Sequence, residues 1–123
     1  GLERLVGQLY EERSRLGIGD FPLTSRIEGW WDRNDTEIDL VALDATAQRL
    51  RLGSCKRSPA ALLADLGRFD GHVARFLQAC PRFSGWQVEK VAIAPSLDHE
   101  ARQAIQAMGY VPQSLCDLTN GLL

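Results

Sequence analysis

The stretch from Ser58 to Cys80 leaves this chain the fewest ways to fold. Leu62, Leu66, Phe69, Val73, Phe76 and Cys80 step 4-3-4-3-4 along it, the spacing that gathers apolar side chains into one stripe of an α-helix. Ser58 suits the N-cap, and Pro59 suits the first helical position, where its missing N–H has no intrahelical partner to lose. Gly67 and Gly71 lower the intrinsic propensity, so the helix needs a surface that covers the stripe. Strand-like segments on either side supply it. Arg26 to Trp31, Glu37 to Leu43 and Leu50 to Cys55 read as an antiparallel meander, with polar turns around Arg33-Asn34-Asp35 and Asp44-Ala45-Thr46. Beyond the helix, Trp86 to Ala94 carries Val91-Ala92-Ile93-Ala94, a run typical of a strand buried on both faces. Strand, long helix and strand in succession make a parallel crossover.

The ends follow the same logic. Residues 2 to 16 place Leu2, Leu5, Val6, Leu9 and Leu16 near helical spacing, and GIGDFP breaks that helix. Gly17-x-Gly19 lacks the third glycine and the preceding strand of a dinucleotide loop, so it reads as a linker. Ser96 is the expected cap of a helix carrying Leu97, Ala101, Ala104, Ile105 and Met108, which Gly109 stops. A last strand is expected over Tyr110 to Leu118. The order α-β-β-β-α-β-α-β predicts an α/β sandwich of two or three layers, a central mixed sheet flanked by helices.

With 123 residues, 45% of them hydrophobic, one soluble domain spanning 1–123 with a single core is expected. The net charge of -2 offers nothing to a polyanion overall, so any nucleic-acid contact needs a local basic patch. Cys55, Cys80 and Cys116 are odd in number and form no C-x-x-C pair, as expected of reduced thiols in a cytoplasmic protein. No apolar run approaches the roughly 20 residues of a membrane span, and no secretory leader is visible. The chain opens at Gly1, without Met, directly into a helical pattern, which reads as a fragment of a longer protein.

Chemistry concentrates on two neighbouring strands. Alternation places Glu37 and Asp39 on one face of theirs, and Ser54 and Lys56 on one face of the next, with Cys55 pointing away. Asp39 and Lys56 are therefore expected on adjacent strands, side chains on the same face near the first helix. Carboxylates suit Mg²⁺, a hard ion that keeps several waters. A Lys beside it orients or deprotonates an attacking water and offsets phosphate charge. A weak surface ion pair is the plainer alternative.

The segments RIEGWWDRNDTEIDLVALD and LRLGSCKRS carry a resemblance in Trp30-Trp31, Glu37-Ile38-Asp39, Val41-Ala42-Leu43, Gly53 and Cys55-Lys56. In order and turn length they resemble the C-terminal domain of unknown function of archaeal-type and bacterial DEXX-box (AAA-like) ATPases. That domain is itself similar to the PD-(D/E)XK restriction-endonuclease-like superfamily. The resemblance implies a restriction-endonuclease-like sandwich in which Glu3 is the acid of the first helix, Asp39 the metal-binding Asp, with Glu37 beside it, and Lys56 the catalytic Lys. It also implies DNA as a partner and an N-terminal P-loop ATPase domain in the full-length protein; a homo-oligomer is a separate expectation that does not rest on the resemblance. No P-loop motif occurs here, so ATP would enter only through that other domain.

Two positions depart from the pattern: Arg57 stands where Trp is usual, and Ser54 stands where the superfamily has the acid of its E-x-K. A hydroxyl is a poor ligand for Mg²⁺, and the long helix offers only Asp65 and Asp70, both well past its first turn. Weak Mg²⁺ binding is expected, in a degenerate nuclease-like domain that binds nucleic acid or a protein partner. The alternatives are an active Mg²⁺-dependent DNA endonuclease and an interaction or oligomerisation module. On this view Ser54→Glu restores the missing ligand. His72 falls with Arg68 and Arg75 on what reads as a solvated helix face, and Trp30, Trp31 and Trp86 read as packing anchors, with base stacking the lesser alternative.

Overall fold

The computed structural model describes residues 1–32 and 35–122. Its elements are α1 (Leu2–Arg15), β1 (Glu28–Trp31), β2 (Glu37–Asp44), β3 (Arg49–Cys55), α2 (Pro59–Ala79), β4 (Gln87–Ile93), α3 (His99–Ala107), β5 (Val111–Gln113) and α4 (Leu115–Thr119), with a 3-10 turn at Pro81–Phe83. The strands form one five-stranded mixed sheet in the order β1-β2-β3-β4-β5. β1, β2 and β3 pair antiparallel, whereas β3–β4 and β4–β5 pair parallel and are joined by α2 and α3. Arg33 and Asn34, expected in the turn between the first two strands, lie outside the described residues.

Two hydrophobic cores hold helices on opposite faces of this sheet. Leu62, Leu66, Phe69 and Phe76 of α2, with Ile105 of α3, cover Ile38, Leu50, Leu52 and Ala92. Leu2, Val6 and Tyr10 of α1, with Leu118 of α4, cover Leu40, Val91 and Ile93. Each large side chain buried this way stabilises the fold by about 1.5–3 kcal/mol relative to exposure. Val91, Ala92, Ile93 and Ala94 are all 0% exposed and alternate between the cores, as a strand sandwiched between helical layers must. α2 starts as its sequence dictates: the Ser58 hydroxyl accepts the Ala61 N–H at 3.1 Å, and Pro59 opens the helix.

The structure corrects several local expectations. In α1 the buried seam is Leu2, Val6 and Tyr10, while Leu5 and Leu16 stand in solvent at 42% and 46% exposure. α3 begins at His99, capped by Asp98 and not by Ser96, because the Asp98 carboxylate accepts the Ala101 N–H at 2.8 Å. The last strand stops at Gln113: Ser114 and Asp117 form a reciprocal capping box that turns the chain into α4. Among the described residues no helix is long and apolar enough to cross a membrane.

Candidate active site

An irregularity in β2 creates the site. Against β1, Trp31 and Trp30 oppose Glu37 and Ile38, but Glu28 opposes Val41, so Asp39 and Leu40 share the single partner Gly29. This is a β-bulge, which re-aims the side chain it carries. On the other side the β2–β3 ladder ends at Leu40 opposite Gly53, while β3 runs on to Cys55. Asp39 fills the gap between the strands. Its Oδ2 accepts the Cys55 N–H at 2.8 Å and the Lys56 ammonium at 3.3 Å, the first in place of a ladder carbonyl. Gly53 permits the tight packing beneath: a Cβ there would lie 2.8 Å from Val91 Cγ2 and 3.1 Å from Leu40 Cβ.

Ser54 is fully buried and turned toward α2, where its hydroxyl donates to Asp65 Oδ2 at 2.6 Å. Asp65 also accepts Arg68 Nε at 2.9 Å, and Lys56 Nζ stands 4.0 Å from the same oxygen that Ser54 holds. Lys56 thus lies between two carboxylates, one from the bulged strand and one from the second turn of α2. The expectation that no helical acid comes near the site is overturned. Asp65 follows Leu62 by three residues and precedes Phe69 by four, which puts it in the stripe that faces the sheet. An acid inside an apolar stripe was the signal that could have found it.

The charges reinforce one another. Burial alone would push the Lys56 ammonium toward neutrality, but Asp39 and Asp65, with Glu37 beyond them, outweigh it and hold Lys56 above its ordinary range. Burial likewise favours a neutral Asp65, yet the Ser54 hydroxyl, Arg68 and Lys56 together keep its carboxyl below the usual carboxylate range. Burial, then the Asp39 and Glu3 charges, push the neighbouring Cys55 thiol far up, so it stays protonated.

Two clefts flank this centre. One, of about 330 Å³, is lined by Trp31, Glu37, Lys56, Asp65, Arg68 and His72, among others. The other, of about 350 Å³, lies against α1 and takes in Glu3, Arg4, Arg26 and Asp39. Of the expected site residues, the structure joins Asp39, Ser54 and Lys56 through Asp65 and sets Glu37 at the rim. Glu3 shares a groove with Asp39 but, among the described residues, bonds to neither Asp39 nor Lys56. Arg68 and Arg75 are exposed, as a solvated face requires, but His72 is not part of it. Buried His72 holds Nδ1 2.9 Å from the Glu37 carbonyl oxygen, and Arg75 Nε donates to Thr36 Oγ1 at 2.6 Å, tying α2 to the entry of β2.

Among the described residues no group of three or more His, Cys, Asp or Glu is arranged to hold a metal by itself. Mg²⁺ does not require one, since it is commonly held by one or two carboxylates with waters and substrate phosphate completing the shell. Asp39 engages only Oδ2 among the described residues, so Oδ1 remains for a ligand, and Asp65 stands across Lys56 from it. Both Asp65 oxygens are engaged, Oδ1 by Arg68 and Oδ2 by Ser54, and Lys56 stands between the two carboxylates, so a divalent ion would have to displace one of these contacts to reach Asp65. Compared with known proteins, the chain matches no family model, no curated protein and no solved structure.

Proposed function

We propose that the chain is a restriction-endonuclease-like domain of the kind joined to DEXX-box ATPases, and that Asp39, Asp65 and Lys56 form a metal-dependent phosphodiesterase site acting on DNA. The carrying observation is the Ser54–Asp65 hydrogen bond of 2.6 Å. On this reading Ser54 does not stand for a lost acid: it holds an acid delivered by α2. A divalent ion bound by Asp39 and Asp65 would lower the pKa of a bound water and neutralise charge on the phosphoryl oxygens.

The protein's own groups do the rest. The Cys55 N–H and Lys56 fix the Asp39 carboxylate, while Ser54 and Arg68 fix Asp65, so neither rotates when substrate arrives. Lys56, held as an ammonium, offsets the negative charge that builds on a phosphate in the transition state. Arg68, with its side chain 72% exposed, reaches outward to a neighbouring phosphate.

Cleavage of an end-labelled oligonucleotide with Mg²⁺ or Mn²⁺ tests this directly. Asp39→Asn and Asp65→Asn should each slow it by about 100-fold or more, and chelation should abolish it. Cleavage that survives both substitutions would reject the site. A second reading, a domain that binds nucleic acid without cutting it, is favoured by the fact that Lys56 and Arg68 already neutralise both carboxylates. Binding by the wild type with no cleavage under any divalent ion would select it.

A further inference from the structure

We propose that the cleft beside Lys56 takes an unpaired nucleobase on Trp31, which makes single-stranded nucleic acid, or a strand opened at that point, the preferred ligand. This rests on the nucleic-acid reading of the site and adds the class of substrate. β1 is an edge strand, and alternation sends its two tryptophans opposite ways. Trp30 turns inward and meets the Phe76 ring edge-on at 5.2 Å. Trp31 turns outward and is left 77% exposed.

A single exposed apolar side chain means little by itself. Trp31, however, opens on the same cleft of about 330 Å³ as Lys56 and Arg68, a cleft that Asp32, Asp35, Glu37 and Asp65 also line, so phosphate contact there falls to the outward-facing Arg68 and to Lys56 rather than to a general positive field. An aromatic plane beside two cations is the pairing that binds a nucleotide, with the ring for the base and the cations for its phosphates. Arg68 spends only Nε on Asp65 among the described residues, which leaves its terminal nitrogens for a phosphate. His72 and Arg75 hold Glu37 and Thr36, and Glu37 pairs with Trp31 in the sheet, so the platform is backed by α2.

The choice of a single strand follows from the geometry of stacking. A base inside a duplex is covered on both faces and offers none to a side chain, so an aromatic platform selects bases that are unpaired or splayed out. The cleft lies at the small end of the range for ligand sites, on the order of 300–1,000 Å³, which suits one nucleotide at a time. The overall charge of -2 supplies no general attraction to a polyanion. Affinity should therefore depend on the stacked base and on about two phosphate contacts, with a shallow salt slope of roughly −1.4 in log K against log salt.

The test is a binding titration of an oligothymidylate of about a dozen nucleotides, against its abasic counterpart and a duplex of equal length, in the absence of divalent ions. Trp31→Ala, at a solvent-exposed position, should weaken oligothymidylate binding by about 5- to 150-fold, the loss typical of one stacked base. Trp31→Phe should recover most of it, and the abasic strand should bind wild type and Trp31→Ala alike. Equal affinity of wild type and Trp31→Ala, tighter binding of the duplex, or no binding by the wild type would overturn the proposal. So would self-association lost in Trp31→Ala by sedimentation, since Trp31 would then pack a second copy. Because Mn²⁺ binding through Asp39 and Asp65 does not involve Trp31, its survival alongside a negative result would sink the base platform and leave the metal site standing.

Discussion

Ser54→Ala isolates the contact on which the site depends. It removes a hydroxyl that is fully buried and donates to Asp65 Oδ2 at 2.6 Å, leaving the carboxylate with Arg68 and, farther off, Lys56. A buried hydrogen bond to a charged group contributes about 1.5–3 kcal/mol, so a loss near 2 kcal/mol is expected at neutral pH. For a domain of this size that lowers Tm by roughly 6–12 °C. The pH dependence has a definite sign. Asp65 has a depressed carboxyl pKa in the fold, so its contribution is present above the ordinary Asp value near 3.9 and is lost as pH falls through the folded value. Removing the Ser54 hydroxyl weakens that depression. The gap between wild type and Ser54→Ala should be full at pH 7 and shrink to about 1 kcal/mol once both carboxyls are protonated. Urea melts from about pH 7 down to pH 3 measure it. A gap under about 0.5 kcal/mol at pH 7, or one that widens on acidification, would refute the reasoning. Ser54→Glu belongs in the same series: a second carboxylate forced against Asp65 in a fully buried spot should destabilise the metal-free protein by about 1–3 kcal/mol through overpacking. Like-charge repulsion adds to that loss. A Ser54→Glu protein as stable as wild type would show that the pocket has room the structure does not display.

Arg51→Met should lower stability by about 3–5 kcal/mol in urea unfolding, because buried Arg51 bonds Glu89 at 2.8 and 3.0 Å and removing it leaves that acid short of its partner; a change under 1 kcal/mol would mean Arg49 alone satisfies Glu89. Wild-type stability should hold from about pH 8 to 5 and decline below about pH 4, since Glu89, Asp70 and Asp117 are also held below their ordinary values; a decline beginning above pH 6 would point to other groups. Thiol titration should find exposed Cys116 reacting first, half-buried Cys80 more slowly, and buried Cys55 only after unfolding, and rapid loss of Cys55 in the native protein would contradict its packing against α1.

The sequence carried the α/β plan because its strongest patterns were also its most buried ones. The stripe from Leu62 to Phe76 and the run Val91 to Ala94 allow few other partners. The ends were less legible. Tyr110 to Leu118 looked like one strand because apolar content does not reveal a capping box, and Ser114 with Asp117 decided the matter through backbone hydrogen bonds. The pairing of Asp39 with Lys56 could be read from strand order, but the route by which they meet could not. A bulge at Asp39–Leu40 redirects the carboxylate into a gap between strands, and strict alternation has no place for a bulge. Asp65 was hidden by a rule about distance along the helix, when the relevant quantity was its phase around the helix. Trp31 was read as an anchor along with Trp30 because composition alone does not say which of two adjacent tryptophans faces the water.

The central claim is that Asp39 and Asp65 are one site. Calorimetric titration of Mn²⁺ into wild type, Asp39→Asn, Asp65→Asn and Asp70→Asn tests it most directly. Asp70 is the internal control, since it bonds Lys90 and Tyr110 away from the centre. The account expects wild type and Asp70→Asn to bind one ion with the same affinity, and Asp39→Asn and Asp65→Asn each to weaken it by about tenfold or more, in keeping with the loss of one of only two carboxylate ligands. Binding that is unchanged in Asp65→Asn, or no binding in the wild type, would contradict it.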